Sequence, residues 1–258
     1  MARIHVVLAL AIATLGCARG GGGTSDATAD TSKPIDSSVD SNGCSMQPCS
    51  ILPQCGCTNG AQACDIDLTD GMGTTCRAVN QPGTETSTCN SADKCDKGYV
   101  CLGSAMNATC KKYCTTDADC GTPRGRCAID ISSNGMVVQG IPSACTSNCN
   151  PLPVSPPAEC PTGYKCGLFT ATHYGSTVKV ADCTRSGTGV QGTNCKSGTN
   201  GNEALCGPGY LCTTVDGGTN YNCRRICNKT TNTGCPGTTT CLAFATPHTI
   251  DIEYGVCN

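Results

Sequence analysis

Hydrophobic positions along this chain predict turns and short strands, with one continuous apolar run near the start. That run, Val6 to Gly16, holds 11 residues without a charge behind a short basic start containing Arg3. It is too short for a membrane-spanning helix, which needs about 20 residues, and it fits the apolar region of an export signal. Ala18 to Gly43 is rich in Gly, Ser, Thr and Asp and contains no cysteine. Downstream, no segment shows three turns of helical apolar periodicity. Glycine (32 residues) and proline (14) point to turns. The stretch "AIDISSNGMVVQGI", residues 128–141, predicts a hairpin, because Asn134-Gly135 is a dipeptide favoured between paired strands.

The 27 cysteines sharpen this picture. From Cys89 they fall into groups of four that read C-x(5–10)-C-x(5–6)-C-x(8–17)-C. The first three groups are Cys89, Cys95, Cys101, Cys110; Cys114, Cys120, Cys127, Cys145; and Cys149, Cys160, Cys166, Cys183. Two more are Cys195, Cys206, Cys212, Cys223 and Cys227, Cys235, Cys241, Cys257. The joints "CKKYC", "CTSNC" and "CRRIC" are all C-x3-C, and such periodicity is repeat architecture. "CDKGYVC", "CPTGYKC" and "CGPGYLC" repeat a Gly-Tyr pair, making Tyr99, Tyr164 and Tyr210 candidate recognition residues. Tyrosine is favoured at interfaces, although a repeated Gly-Tyr also suits packing beside its own disulfide. The shared joints support duplication of a two-group block. "CGLFTATH" and "CLAFATPH" link two further groups and contain both Phe residues, with His173 and His248. Upstream, Cys57, Cys64 and Cys76 match the last three positions of another group, and Cys44, Cys49 and Cys55 complete an irregular first module.

Four cysteines allow three pairings. First with third and second with fourth is the expected one, since it staples a hairpin across its base and leaves the long last spacing as a protruding loop. Each bridge closing a loop of about 10–20 residues contributes about 3 kcal/mol in the chain-entropy model. Cross-links are needed here. With the cysteines and leader set aside, about 59 apolar residues remain among 241, with no Trp and two Phe, too few for the usual single core. The expected fold is therefore small disulfide-rich repeats of short β-hairpins and loops, with little helix and no large hydrophobic core.

Thr14-Leu15-Gly16-Cys17 resembles a bacterial lipobox, in which a peptidase cuts before a lipid-modified cysteine. Thr14 stands where that motif usually has Leu, Val or Ile, so cleavage after Ala11-Ile12-Ala13 is the alternative. Lipidation of Cys17 leaves 26 cysteines, an even number able to form 13 bridges, and a leftover thiol is unusual in an exported chain. The organisation expected is a signal over residues 1–16, a lipidated Cys17 and flexible tether over 17–43, a six-cysteine module over 44–80, three repeats over 89–183 and two over 195–257. A tether of 26 residues spans roughly 28 Å as a coil. The spaced cysteines with Gly-Tyr before the third also resemble bacterial cysteine-rich envelope lipoproteins with repeats like the Dickkopf N-terminal region and EGF-like modules. That resemblance implies extracellular protein binding.

Formal net charge is −2, and the part from Cys44 onward is near −1. No basic stripe offers itself to nucleic acid, since Lys111-Lys112 and Arg224-Arg225 are isolated pairs. Zinc sites favour C-x2-C knuckles, and the chain has none, which also argues against thioredoxin-like redox chemistry and haem attachment. Cys55-Gly56-Cys57 reads as structural. His173 and His248 occupy matching places in two repeats, which favours a duplicated structural element over a catalytic base. "DIDLTDG" (Asp65, Asp67, Asp70, Gly71) departs from a calcium loop by one place and ends on Cys76, so a solvated turn is the reading.

The function these residues point to is a non-enzymatic, lipid-anchored protein of a bacterial cell envelope, with no cofactor or metal. It would present stapled loops to a protein or glycan, or serve structurally. Ala18 after the cysteine directs the expectation to the outer membrane. A secreted protease inhibitor is the alternative, using loops at Ala128–Ala144, Gly167–Asp182 and Leu242–Val256; an enzyme of unknown type is the third.

Overall fold

The computed structural model describes residues 44, 49–58, 60–67, 73–103, 108–133, 136–138, 140–152, 159–214 and 218–258. The expected signal, lipidated Cys17 and tether, residues 1–43, lie outside the described residues. Thirteen disulfides join the 26 cysteines from Cys44 onward. Every four-cysteine group pairs first with third and second with fourth, as in Cys89–Cys101 and Cys95–Cys110. The opening module follows the same rule through Cys49–Cys64 and Cys57–Cys76, so Cys49 is its first member and Cys44–Cys55 is the additional bridge.

The bridges do not close the hairpins on themselves. In all six groups the third and fourth cysteines face each other across an antiparallel pair, for example Cys64 with Cys76 and Cys166 with Cys183. Each is bonded back to the segment that precedes the hairpin. Two adjacent bridges thus clamp a lead-in segment onto two neighbouring strands. Most of the small apolar clusters form around these sulfurs, as with Cys89, Cys95, Ala108 and Cys110, in place of one large core; Leu168, Ile226 and Tyr254 form one without cysteine. The result is a disulfide-rich fold of short antiparallel strands, and so many bridges place the chain in an oxidising compartment, extracellular or of the cell envelope.

Element order divides the chain into two similar halves. The first half opens with the hairpin β1 (Gln62–Asp67) and β2 (Gly73–Ala78). It continues with β3 (Tyr99–Leu102), β4 (Thr109–Cys114), β5 (Cys127–Ile129), the small pair β6 (Ser132–Ser133) and β7 (Met136–Val137), and β8 (Ser143–Cys145). The second half opens with the longer hairpin β9 (Tyr164–His173) and β10 (Ser176–Arg185). There follow the small pair β11 (Lys196–Ser197) and β12 (Asn200–Gly201), then β13 (Tyr210–Thr213), β14 (Asn222–Asn228), β15 (Cys241–Thr249) and β16 (Glu253–Cys257). The two four-stranded sheets have the same order, β3-β4-β8-β5 and β13-β14-β16-β15. Their central strands β4 and β14 contain "CKKYC" and "CRRIC", so each of these two joints is a strand shared by two groups, whereas "CTSNC" leaves β8 after Cys145. The predicted pairing around Asn134-Gly135 is present as Ser132 with Val137 and Ser133 with Met136.

Glycine sets two recurring features. In each Gly-Tyr motif the tyrosine N–H donates to the carbonyl three residues back, at 3.1, 2.9 and 3.2 Å for Tyr99, Tyr164 and Tyr210. Gly98, Gly163 and Gly209 occupy the third turn position with φ of 78°, 83° and 77°, where an L side chain is disfavoured. The turn reverses the chain between the second and third cysteines. The linkers ahead of Cys89 and Cys195 carry the other feature. Gly83 and Gly189 form parallel bridges to Cys95 and Cys206, and a Cβ on either would lie 2.7 Å from a backbone carbonyl oxygen, that of Lys94 or Leu205.

Buried polar contacts join the groups to one another. Arg77 pairs with buried Asp65, which also accepts from the Tyr113 hydroxyl. The same guanidinium donates to the carbonyls of Cys95 and Tyr99, both at 2.8 Å. In the second half Lys165, fully buried, donates at 2.5 Å to Glu203 and to the Tyr210 carbonyl. Ala63 lies opposite Arg77, and Lys165 opposite Thr184. The cation therefore comes from opposite strands of matching hairpins yet reaches the same carbonyl. Between the halves, Lys111 pairs with Asp182 and Arg124 with Asp251, the latter at 2.9 Å. The array folds back on itself instead of extending as a rod.

Gly98→Ala is expected to lower stability by about 1–2 kcal/mol through backbone strain alone, since nothing lies within 4 Å of the added carbon. Asparagine at 98 should recover part of that loss. Gly189→Ala must instead displace backbone and the Cys223 sulfur, and asparagine there should be worse than alanine. Calorimetric unfolding with the disulfides intact separates the two cases. Lys165→Met should cost about 3 kcal/mol because it leaves Glu203 without its cation, and Lys165→Met with Glu203→Gln should recover much of it.

Candidate recognition surface

The long spacings expected to protrude as loops are largely paired strand. Gly167–Asp182 belongs to a ladder of ten residue pairs between β9 and β10, and Leu242–Val256 belongs to β15 and β16, with a register shift between Ala243 and His248. The two most exposed of the large hydrophobic side chains described sit at hairpin tips. Tyr174, at φ 45°, is 72% exposed at the end of the β9–β10 hairpin, and Met136 is 73% exposed on β7. Asp130 ties these two places together. Its carboxylate lies 2.6 Å from His173 Nδ1 and accepts from the Tyr174 N–H at 3.1 Å. The rings of His173 and Tyr174 are 4.3 Å apart. One group's tip is thereby held against the base of another group's small hairpin.

The two histidines do different things despite their matching sequence contexts. His173 makes this partly exposed carboxylate contact between the halves. His248 is buried, its Nε2 3.3 Å from the Val180 carbonyl oxygen and its ring edge-on to Phe244. They therefore do not repeat one structural role. Burial pulls the His248 pKa below the ordinary value, and nearby Lys179 acts in the same direction while the Val180 carbonyl opposes it.

Asp65 corrects the solvated-turn reading of "DIDLTDG". It is 3% exposed and committed to Arg77 and Tyr113, while Asp70 and Gly71 fall outside the described residues. Tyr113 pairs with Ala144 in the ladder between β4 and β8, which sets its hydroxyl facing the first hairpin. Burial beside that carboxylate pushes the Tyr113 pKa far up, so the hydroxyl remains a donor. The sequence signal that could have revealed this joint was Arg77 following Cys76 directly, on the strand opposite "ACDID".

The Gly-Tyr rings lie against their own groups' bridges. Tyr164 is buried among Cys149, Cys160 and Cys166. Tyr99 and Tyr210 are partly buried against the Cys89 and Cys195 clusters. Sulfur triads such as Cys114, Cys120 and Cys127 come within 4.8 Å of one another. They belong to adjacent disulfides, Cys114–Cys127 and Cys120–Cys145, and a disulfide sulfur is not the thiolate a metal requires. Cys55 and Cys57 enter separate bridges. Of the basic pairs, Lys111 is held by Asp182 and Lys112 donates to the Asp119 carbonyl at 2.8 Å.

A cleft of about 460 Å³ opens between the halves, bounded by the Gln81–Lys94 segment and by the Thr162–Tyr164 turn with Arg185. A second hollow of about 420 Å³ shares Gln81, Thr88 and Lys94 with it. Sequence reasoning missed this place because its two walls come from segments some 80 residues apart.

Among the described residues no helix is long and apolar enough to cross a membrane. No family model, curated protein or solved structure matches the chain.

The stability that depends on a neutral His248 is complete above the unfolded value of about 6.5. It is lost as pH falls through that value toward the lower folded one. Unfolding free energies at pH 7.5 and 5 should therefore differ more for the native sequence than for His248→Gln. An equal difference in both proteins would show that His248 does not set this part of the profile.

Proposed function

We propose that this is a non-enzymatic, lipid-anchored protein of a bacterial cell envelope that presents disulfide-held surfaces to a protein or glycan partner. The observation that carries the reading is the completeness of the cross-linking. Thirteen bridges use the 26 cysteines from Cys44 onward, and Cys17 is the one cysteine of the 27 that stands apart from them. Its Leu-Gly-Cys context behind an apolar run gives it a purpose as the acylated residue. Two anchoring features then follow from one modification: a lipid at Cys17 and a polar tether that holds the body off the membrane. Ala18 after that cysteine favours the outer membrane. The resemblance to cysteine-rich envelope lipoproteins with Dickkopf-like and EGF-like spacing agrees with a binding role, as do rigid tips that expose Tyr174 and Met136.

Intact mass of the membrane-extracted protein, alkylated without reduction, tests this reading. The expected species begins at Cys17, carries acyl chains and has no alkylated thiol. A soluble chain beginning elsewhere would remove the anchor, and several alkylated thiols would remove the closed scaffold.

A further inference from the structure

We propose that the cleft between the two halves binds an acidic saccharide, with Lys94 and Arg185 meeting its negative groups; this rests on the binding role proposed above. The cleft volume lies within the roughly 300–1,000 Å³ typical of small-ligand sites, and the adjoining hollow extends it beyond one sugar unit. Its rim is made of hydrogen-bonding side chains, among them Gln81, Thr88, Asn90 and Thr162, with Lys94 and Arg185 as its cations. Among the described residues no carboxylate lines either hollow. Asp93 is next to Lys94 in the chain, but its carboxylate accepts from Ser91 and, at 2.9 Å, from Asn80. Amides and hydroxyls suit the alternating donors and acceptors of a sugar. A guanidinium and an ammonium suit the carboxylates or phosphates that make a sugar acidic. Among its described residues the rim offers no large exposed apolar side chain to anchor a peptide or an acyl chain.

The internal duplication singles this place out. Both halves keep the surrounding scaffold, including Gly83 and Gly189, the parallel bridges to Cys95 and Cys206, and the paired disulfides. The lining itself is not kept. Leu205 stands where the first half has Lys94, Lys196 where it has Asn90, and Tyr221 where it has Ala108. The Thr162–Tyr164 turn of the second half closes the cleft against the first half. The architecture is repeated, whereas the polar cleft belongs to one junction.

Titration calorimetry of the full-length protein in detergent micelles provides the test, with tetragalacturonate, maltotetraose and inorganic phosphate as probes. Tetragalacturonate should bind, more weakly as salt rises, while maltotetraose should not. Lys94→Glu and Arg185→Glu should each weaken binding about tenfold or more, a loss consistent with removing a charge-assisted contact. Lys94→Gln provides a milder variant should the charge reversal disturb folding, and it should also weaken binding. Lys196→Glu, on an exposed residue of the other half, should leave binding unchanged. Absence of tetragalacturonate binding at millimolar concentration would overturn the assignment. Equal binding of maltotetraose, equal affinity for phosphate, or an equal loss in Lys196→Glu would also overturn it. The bound saccharide recovered at unchanged length fits a binding role. Shortened saccharide would support the cleft and overturn the non-enzymatic reading.

Discussion

The structure depends on a repeated pair of adjacent disulfides that fastens a lead-in segment to two facing strands. A two-stranded hairpin is marginal by itself in water, and this chain has too few apolar residues to bury its hairpins in a common core. Two bridges per hairpin replace that missing burial by restricting the unfolded chain. The small clusters around the sulfurs then exclude water locally, as at Cys195, Cys206 and Cys223. Strand registry follows from the same constraint: the third and fourth cysteines must face each other so that both can reach the preceding segment.

Since each group is internally fastened, the remaining problem is how groups are held relative to one another. Apolar packing does part of this, with Ile66, Val100 and Tyr113 in the first half and Leu168, Ile226 and Tyr254 in the second. Directional contacts do the rest. Arg77 reaches three elements at once, and Lys165 uses a fully buried ammonium to join two. A buried ion pair is a weak source of stability when compared with apolar packing. It is sensitive to geometry, however, and here it fixes how one rigid module meets the next. Contacts such as Arg124 with Asp251, distant in sequence, turn a linear series of modules into a folded-back body with a cleft between its halves.

A body of this kind separates support from recognition. The repeated residues are those that the clamp and the reversals require: cysteines, the Gly-Tyr turns, and the two glycines at close backbone approach. The positions that differ between the halves are free of that requirement, and several line the cleft or occupy the exposed tips. Lys94 and Leu205 share one place in the scaffold but present different chemistry to the surface. Chemical variation on an unchanged covalent frame is a direct route to a binding surface.

The sequence by itself determined the local rules. Cysteine spacing marked the groups and made first–third with second–fourth pairing the natural expectation, and it set Gly98, Gly163 and Gly209 in a repeated Gly-Tyr pair whose turn the structure supplied. Asn134-Gly135 marked a hairpin. These are short-range features, decided by a few consecutive residues and the backbone geometry they permit. Tertiary structure alone decided that Cys49 opens the first group, that the duplication signalled by the joints extends to three groups and divides the array after Cys145, and that Asp65 is buried beneath Arg77. It also decided that His173 and His248, so alike in context, face an acidic side chain and a backbone carbonyl respectively. Spacing constrains where a chain can be cross-linked to itself. Which finished modules then touch depends on side chains far apart in sequence, whose charges and shapes meet only after each module has folded.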